Sequence, residues 1–276
     1  MRSIIKPVLY LLIVFALDLA LRKGYLVFPL PFKLPLNGNI LFYFFLFMVL
    51  ALFFTRWFSK KDGGSLNTLG IGCDSKNRVD FLYGFFVGLI LWGIVSLVQG
   101  WTAGFSWELK SNINWIPVCY GLVFIFIADL GTELFTRGYA LSKFKDSFGA
   151  KMAIVIMVFF VGLTSMFSGA SGELLVYAIL IPILHTVFFS IIYFKTKRLG
   201  AAVGVHTGAN FITISIFDLR VEQPGLAIPS GIFGPNVDVN TLSLSAVQLP
   251  WVVMAVLFSI LVYFWWQRNK QRQLEQ

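Results

Sequence analysis

Residues 115–137 read WIPVCYGLVFIFIADLGTELFTR. An apolar run of this length crosses a hydrocarbon core of roughly 30 Å when coiled as a helix rising about 1.5 Å per residue. Its only charged residues, Asp129, Glu133 and Arg137, stand at i, i+4 and i+8, so they share one face of that helix. A membrane span therefore carries a stripe of two carboxylates and one guanidinium, and the rest of the chain must explain it.

Similar apolar runs occur outward from this segment at 4–21, 39–58, 81–101, 152–167, 174–194, 199–217 and 250–266. The fold class expected is all-α: a polytopic membrane bundle of about eight transmembrane helices, with 1–276 forming a single membrane domain. Composition agrees, since 58% of the residues are hydrophobic and 13% charged, whereas soluble domains carry about 25% charged residues. The abundant Phe and Trp suit lipid-facing surfaces and interfacial belts. Arg2 and Lys6 precede a first run without a small-residue cleavage site, which reads as a retained helix.

A net charge of +9 does not indicate nucleic acid, because the basic residues cluster between apolar runs and not along a soluble face. Arg2, Lys6, Arg56, Lys60, Lys61, Lys76, Arg78, Lys143, Lys145, Lys151, Lys195, Lys197, Arg198, Arg268, Lys270 and Arg272 fall in the segments on the side of the N-terminus, while the opposite loops hold only Arg22, Lys23, Lys33, Lys110 and Arg220. The positive-inside rule then places both termini in the cytoplasm. Stretches 24–38 and 218–249, rich in Pro and Gly, read as outer loops. Cys73 and Cys119 have no metal-ligand or disulfide spacing, and the lipid bilayer is the one partner the composition itself names.

Charge within a bilayer costs about 2.5–3.5 kcal/mol per residue near the centre, so each intramembrane ionisable group needs a partner or a purpose. Glu133 and Arg137 form an expected structural ion pair, and a carboxylate in a poorly hydrated site also suits general-base work. His206 and Asn210, again i and i+4, lie in the small-residue run Gly204–Val205–His206–Thr207–Gly208–Ala209–Asn210. Small residues permit close helix approach, and the two polar side chains can present donors to a developing oxyanion. His185 follows Pro182 without a companion at helical spacing and reads as a packing residue. Asp18 is expected to bond another span or to sit near a membrane face, with no catalytic role.

Together these residues resemble the family of CAAX proteases and bacteriocin-processing proteins, intramembrane glutamate-type proteases that include lysostaphin-resistance proteins. The resemblance covers 115–215 as a core. It rests on Thr132–Glu133–Leu134–Phe135–Thr136–Arg137–Gly138 against a first motif EExxxRG, on His206–Asn210 against HxxxN, and on the turn Tyr193–Phe194–Lys195–Thr196–Lys197–Arg198–Leu199–Gly200. A middle motif FxxxH aligns with Phe160–Val161–Gly162–Leu163–Thr164. The resemblance implies that the first glutamate and the middle histidine activate water and that the last His and Asn stabilise the oxyanion; here Thr132 and Thr164 stand at the two water-activating positions. The reading it supports is a degenerate protease, a scaffold or regulator in the plasma membrane that binds a peptide or membrane-protein partner. An active endopeptidase, cutting a membrane-embedded or lipidated peptide, would need Glu133, Asp129 or His185 as a replacement base. No cofactor or metal is expected, since two histidines would ligate a metal poorly. A transporter is disfavoured because the chain lacks repeated halves and paired broken helices.

Overall fold

The computed structural model describes residues 2–27, 38–219 and 231–274. Eight helices follow one another: α1 (Arg2–Val27), α2 (Gly38–Lys61), α3 (Ser75–Ala103), α4 (Trp115–Arg137), α5 (Tyr139–Ser165), α6 (Gly172–Thr196), α7 (Leu199–Phe211) and α8 (Leu244–Leu274). Among the described residues seven helical segments are long and apolar enough to cross a membrane, the fourth of which, Trp115–Ser165, contains both α4 and α5. The chain is thus an all-α, multi-pass membrane bundle. Its outward residues are those a bilayer requires; along α3, for instance, Leu82, Tyr83, Phe86, Ile90, Leu97 and Trp101 are exposed. Only α7 with its following turn is more than half buried (56%, against 17% for α8), which makes it the central helix.

The helices extend beyond the apolar runs. The stretch expected to begin a loop at 24 stays helical to Val27, and the one expected to continue to 249 already enters α8 at Leu244. Polar residues outside the hydrocarbon still satisfy their backbone groups by remaining helical. Pro29, Pro31, Lys33, Pro35, Arg220, Pro224 and Pro229, expected in those loops, lie outside the described residues. Part of the remainder is an antiparallel ribbon, β1 (Trp107–Leu109) against β2 (Phe233–Pro235), that the hydropathy pattern does not announce.

Close packing of α3 on α7 fixes the centre. Gly84 and Gly88 of α3 face α7, and Gly200, Gly204 and Gly208 of α7 face α3. A Cβ on Gly204 would lie 2.2 Å from the Phe81 carbonyl oxygen, and one on Gly208 2.1 Å from that of Phe85. Only hydrogen fits in those places, so the four-residue glycine repeat sets the distance between the two backbones. The start of α7 is fastened as well. Asp74 caps α3 by accepting from the Asn77 amide at 3.0 Å, and Asn77 Oδ1 accepts from the Gly200 amide at 3.2 Å.

At the same end of the bundle Asp62 joins three elements, binding Lys6 of α1, the Tyr139 hydroxyl at 2.8 Å and Lys143 at 3.2 Å. Tyr139 and Lys143 belong to a polar helical stretch, 139–148, that links the fourth and fifth apolar runs and ends where Gly149 adopts φ +80°. Burial pushes the Asp62 carboxyl up, but the hydrogen bonds from Lys6, Tyr139 and Lys143 together outweigh it and hold its pKa down to about 2. An unfolded Asp titrates near about 3.9. The Asp62 contribution is therefore complete above that value and is lost as pH falls toward the folded one. Thermal unfolding measured from neutral pH into acid should show Asp62→Asn starting below wild type and losing less on acidification.

Candidate functional site

Two antiparallel helices build the site. Because α4 and α7 run in opposite directions, their i, i+4 pairs face each other level by level. Asn210 Nδ2 donates to Asp129 Oδ1 at 2.8 Å, and one turn along His206 Nδ1 meets Glu133 Oε1 at 2.8 Å. His206 Nε2 lies 3.5 Å from Asp129 Oδ1, so the imidazole bridges the two levels. A further turn along α4, Arg137 Nη1 donates to the same Glu133 Oε1 at 2.8 Å and to Thr136 Oγ1 at 2.6 Å. The five side chains singled out in the sequence, Asp129, Glu133, Arg137, His206 and Asn210, thus form one continuous network.

The α4 side of the network is buried, while His206 and Asn210 of α7 are partly exposed. Glu133 is fully buried and Arg137 is 2% exposed. Phe189 of α6 closes one side, its ring stacked on His206 with centroids 4.7 Å apart and lying 5.2 Å beneath the Arg137 guanidinium. Arg137 Nη2 also donates to the His185 carbonyl at 3.4 Å, which ties α6 to α4. Nothing in the sequence singles out Phe189, since an aromatic one turn beyond His185 in a Phe-rich helix carries no distinguishing mark.

Neither threonine joins the network. Thr132 Oγ1 donates to the Ala128 carbonyl within α4 at 3.0 Å, and Thr164 Oγ1 to the Val161 carbonyl within α5 at 3.0 Å. The His185 ring packs against Trp92, Phe189 and Trp251 with centroids 5.4, 5.5 and 6.3 Å away. Its Nε2 is buried and has no hydrogen-bond partner among the described residues. Asp18 receives the Tyr43 hydroxyl in the contact between α1 and α2, away from these groups. Among the described residues no group of three or more His, Cys, Asp or Glu side chains is arranged to hold a metal ion.

The turn before α7 positions His206 and Asn210 from below. Lys197 takes a left-handed conformation (φ 56°) and its amide donates to the Tyr193 carbonyl at 2.7 Å, ending α6. Thr196 Oγ1 accepts from the Arg198 amide at 3.3 Å, Tyr193 reaches the Leu69 carbonyl at 2.8 Å, and Arg198 pairs with Asp80 of α3. The Leu199 amide then donates to the Gly70 carbonyl at 3.0 Å. Each conspicuous residue of Tyr193–Gly200 therefore fixes where α7 begins, and hence the height at which His206 and Asn210 meet α4.

Comparison with curated proteins and with solved structures finds no significant match. Residues 114–212 match the family described as Rce1-like, type II CAAX prenyl endopeptidase Rce1-like, a stretch that runs from the start of α4 to the end of α7 and holds every member of the network. These residues are a domain of the Rce1-like type II CAAX prenyl endopeptidase family.

Proposed function

We propose that the chain is a non-hydrolytic relative of the CAAX proteases, a plasma-membrane scaffold or regulator that holds a peptide or membrane-protein partner. One observation carries this reading: Asp129 and Glu133 are hydrogen-bonded to Asn210 and His206, the two side chains that the family pattern assigns to the oxyanion. Oxyanion donors act by being preorganised and open toward the charge that develops in the transition state. Donors satisfied by carboxylates at 2.8 Å are a latch between α4 and α7. Amide hydrolysis also needs a base to activate water, and the hydroxyls of Thr132 and Thr164 stay protonated and bonded to their own helices.

A second reading, an active intramembrane endopeptidase, draws on the 3.5 Å approach of His206 Nε2 to Asp129. There Asp129 or Glu133 would be the base, Arg137 would remain the structural partner, and the substrate would be a membrane-embedded or lipidated peptide. Asp129→Ala separates the two. A latch residue leaves the Asn210 amide unpartnered when removed, at a cost of about 1–3 kcal/mol. The variant should therefore unfold earlier in detergent than wild type, and neither protein should cleave fluorogenic peptides. A variant as stable as wild type that loses a cleavage wild type performs would establish the endopeptidase.

A further inference from the structure

The last two turns of α2 carry Arg56, Trp57, Lys60 and Lys61, and Phe53 stands one turn earlier. Arg56 and Lys60, Phe53 and Trp57, and Trp57 and Lys61 are each four residues apart, so all five side chains share one side of the helix. That side points away from the bundle: Phe53 is 57% exposed, Trp57 is 39% exposed, and the three cations are exposed as well. Thr55, Phe58 and Ser59, on the other side, are buried.

Packing at this end of the bundle leaves the three cations without an anion. Asp62 is the nearest acid in the sequence, but its Oδ1 is taken by Lys6 of α1 and its Oδ2 by Tyr139 and Lys143 of α5. Asp80 is taken by Arg198, and Asp74 caps α3. Among the described residues Arg56, Lys60 and Lys61 make no ion pair. Lys61 instead lies over the Trp57 ring, its ammonium 3.9 Å from the centroid. The ring is itself held edge-on by Phe58, with centroids 4.8 Å apart. A cation–π contact places the ammonium and leaves N–H donors for an oxygen acceptor.

Depth along the helix identifies the missing anion. Ile40–Lys61 is long and apolar enough to cross a membrane, and Trp prefers the headgroup level of a bilayer. Lys60 stands seven residues beyond Phe53, about 10 Å along the axis. The cations therefore sit where the apolar surface gives way to headgroups, and the phosphates of the surrounding leaflet are the anions at that height. A soluble acidic segment would have to strip lipid from Phe53 and Trp57 to reach the same place. We propose that the last two turns of α2 bind an anionic phospholipid, Arg56, Lys60 and Lys61 holding its phosphate and Trp57 and Phe53 flanking its acyl chains. The site lies in the leaflet at the N-terminal end and uses no residue of the α4–α7 network.

Native mass spectrometry of the full chain in detergent, titrated with phosphatidylglycerol or phosphatidylcholine, tests it. Each Lys or Arg near an anionic surface strengthens attachment roughly five-fold. Wild type should bind phosphatidylglycerol at least ten-fold more tightly than phosphatidylcholine. Replacing Arg56, Lys60 and Lys61 together by Gln should weaken phosphatidylglycerol at least ten-fold and leave phosphatidylcholine unchanged. Replacing Lys76, Arg78 and Lys151 by Gln removes the same charge from other exposed positions and should change the affinity less than two-fold. Should the first triple variant unfold, Arg56→Gln with Lys60→Gln keeps the Lys61–Trp57 contact and should still lose at least five-fold. No loss in these variants, an equal loss in the control, or equal binding of phosphatidylcholine would overturn the proposal. So would displacement of the lipid by millimolar inorganic phosphate or by an acidic peptide, which would make the site one for a free anion or for a protein partner.

Discussion

Glu133→Ala is expected to remove most of the stability of the folded bundle. Breaking a buried ion pair by deleting one partner typically costs about 3–5 kcal/mol, because the other charge stays behind uncompensated. Here the remaining Arg137 would keep Thr136 and the His185 carbonyl but no counter-ion, in a place where its side chain is 3% exposed. Removal of Glu133 also releases His206, whose Nδ1 shares the same carboxylate oxygen. A double-mutant cycle measured by reversible unfolding in bicelles should give a large coupling between Glu133 and Arg137 and a smaller one between Glu133 and His206. Glu133→Leu combined with Arg137→Leu should recover part of the loss, since replacing a whole buried pair with apolar residues is often close to neutral. Loss of activity or partner binding in Glu133→Ala alone therefore says nothing about catalysis.

Gly208→Val should prevent the bundle from assembling. Even the first added carbon would stand 2.1 Å from the Phe85 carbonyl oxygen, and the obstacle is backbone, which cannot swing aside. Overpacking typically costs about 1–3 kcal/mol per site when side chains can adjust, and forcing two helices apart exceeds that. Gly88→Ala, which meets the Val205 carbonyl at 2.2 Å, should also destabilise strongly. Gly93→Ala lies on the same helix and is the contrast: its Cβ would meet nothing nearer than Ile212 Cγ1 at 3.8 Å. Exchanging an interior helical Gly for Ala there should be neutral or stabilising by about 0.5–1 kcal/mol. Thermal unfolding of the three variants in one detergent checks the series.

Much of this was legible from hydropathy alone, because membrane helices announce themselves by local apolarity. The eight apolar runs correspond one for one to α1 through α8. Their ends were less legible, and for a physical reason: residues 75–80 and 139–148 are polar yet helical, stabilised by the Asp74 cap and by Asp62. The i, i+4 spacing of Asp129, Glu133 and Arg137 and of His206 and Asn210 announced two faces with chemistry on them. It did not announce that the faces oppose each other so that Asp129 meets Asn210 and Glu133 meets His206. That depends on the height and angle of α7, set by the glycine contacts with α3 and the Tyr193–Gly200 turn, and such long-range geometry leaves no periodic mark. The Phe189 contacts and the ribbon are assembled from separated segments and were not visible for the same reason.

Hydrolysis measured without a guessed cleavage site decides the central claim. The purified chain would be incubated in vesicles with a peptide mixture and co-purified membrane proteins in ¹⁸O-labelled water, and new C-termini carrying the label would be counted by mass spectrometry. With Asp129 and Glu133 hydrogen-bonded to Asn210 and His206, and with Thr132 and Thr164 where the family pattern would have its water-activating pair, the proposed function predicts no labelled termini above a protein-free control. Labelled termini that accumulate with wild type and vanish in a well-folded Asp129→Asn variant would contradict the account and identify a working protease.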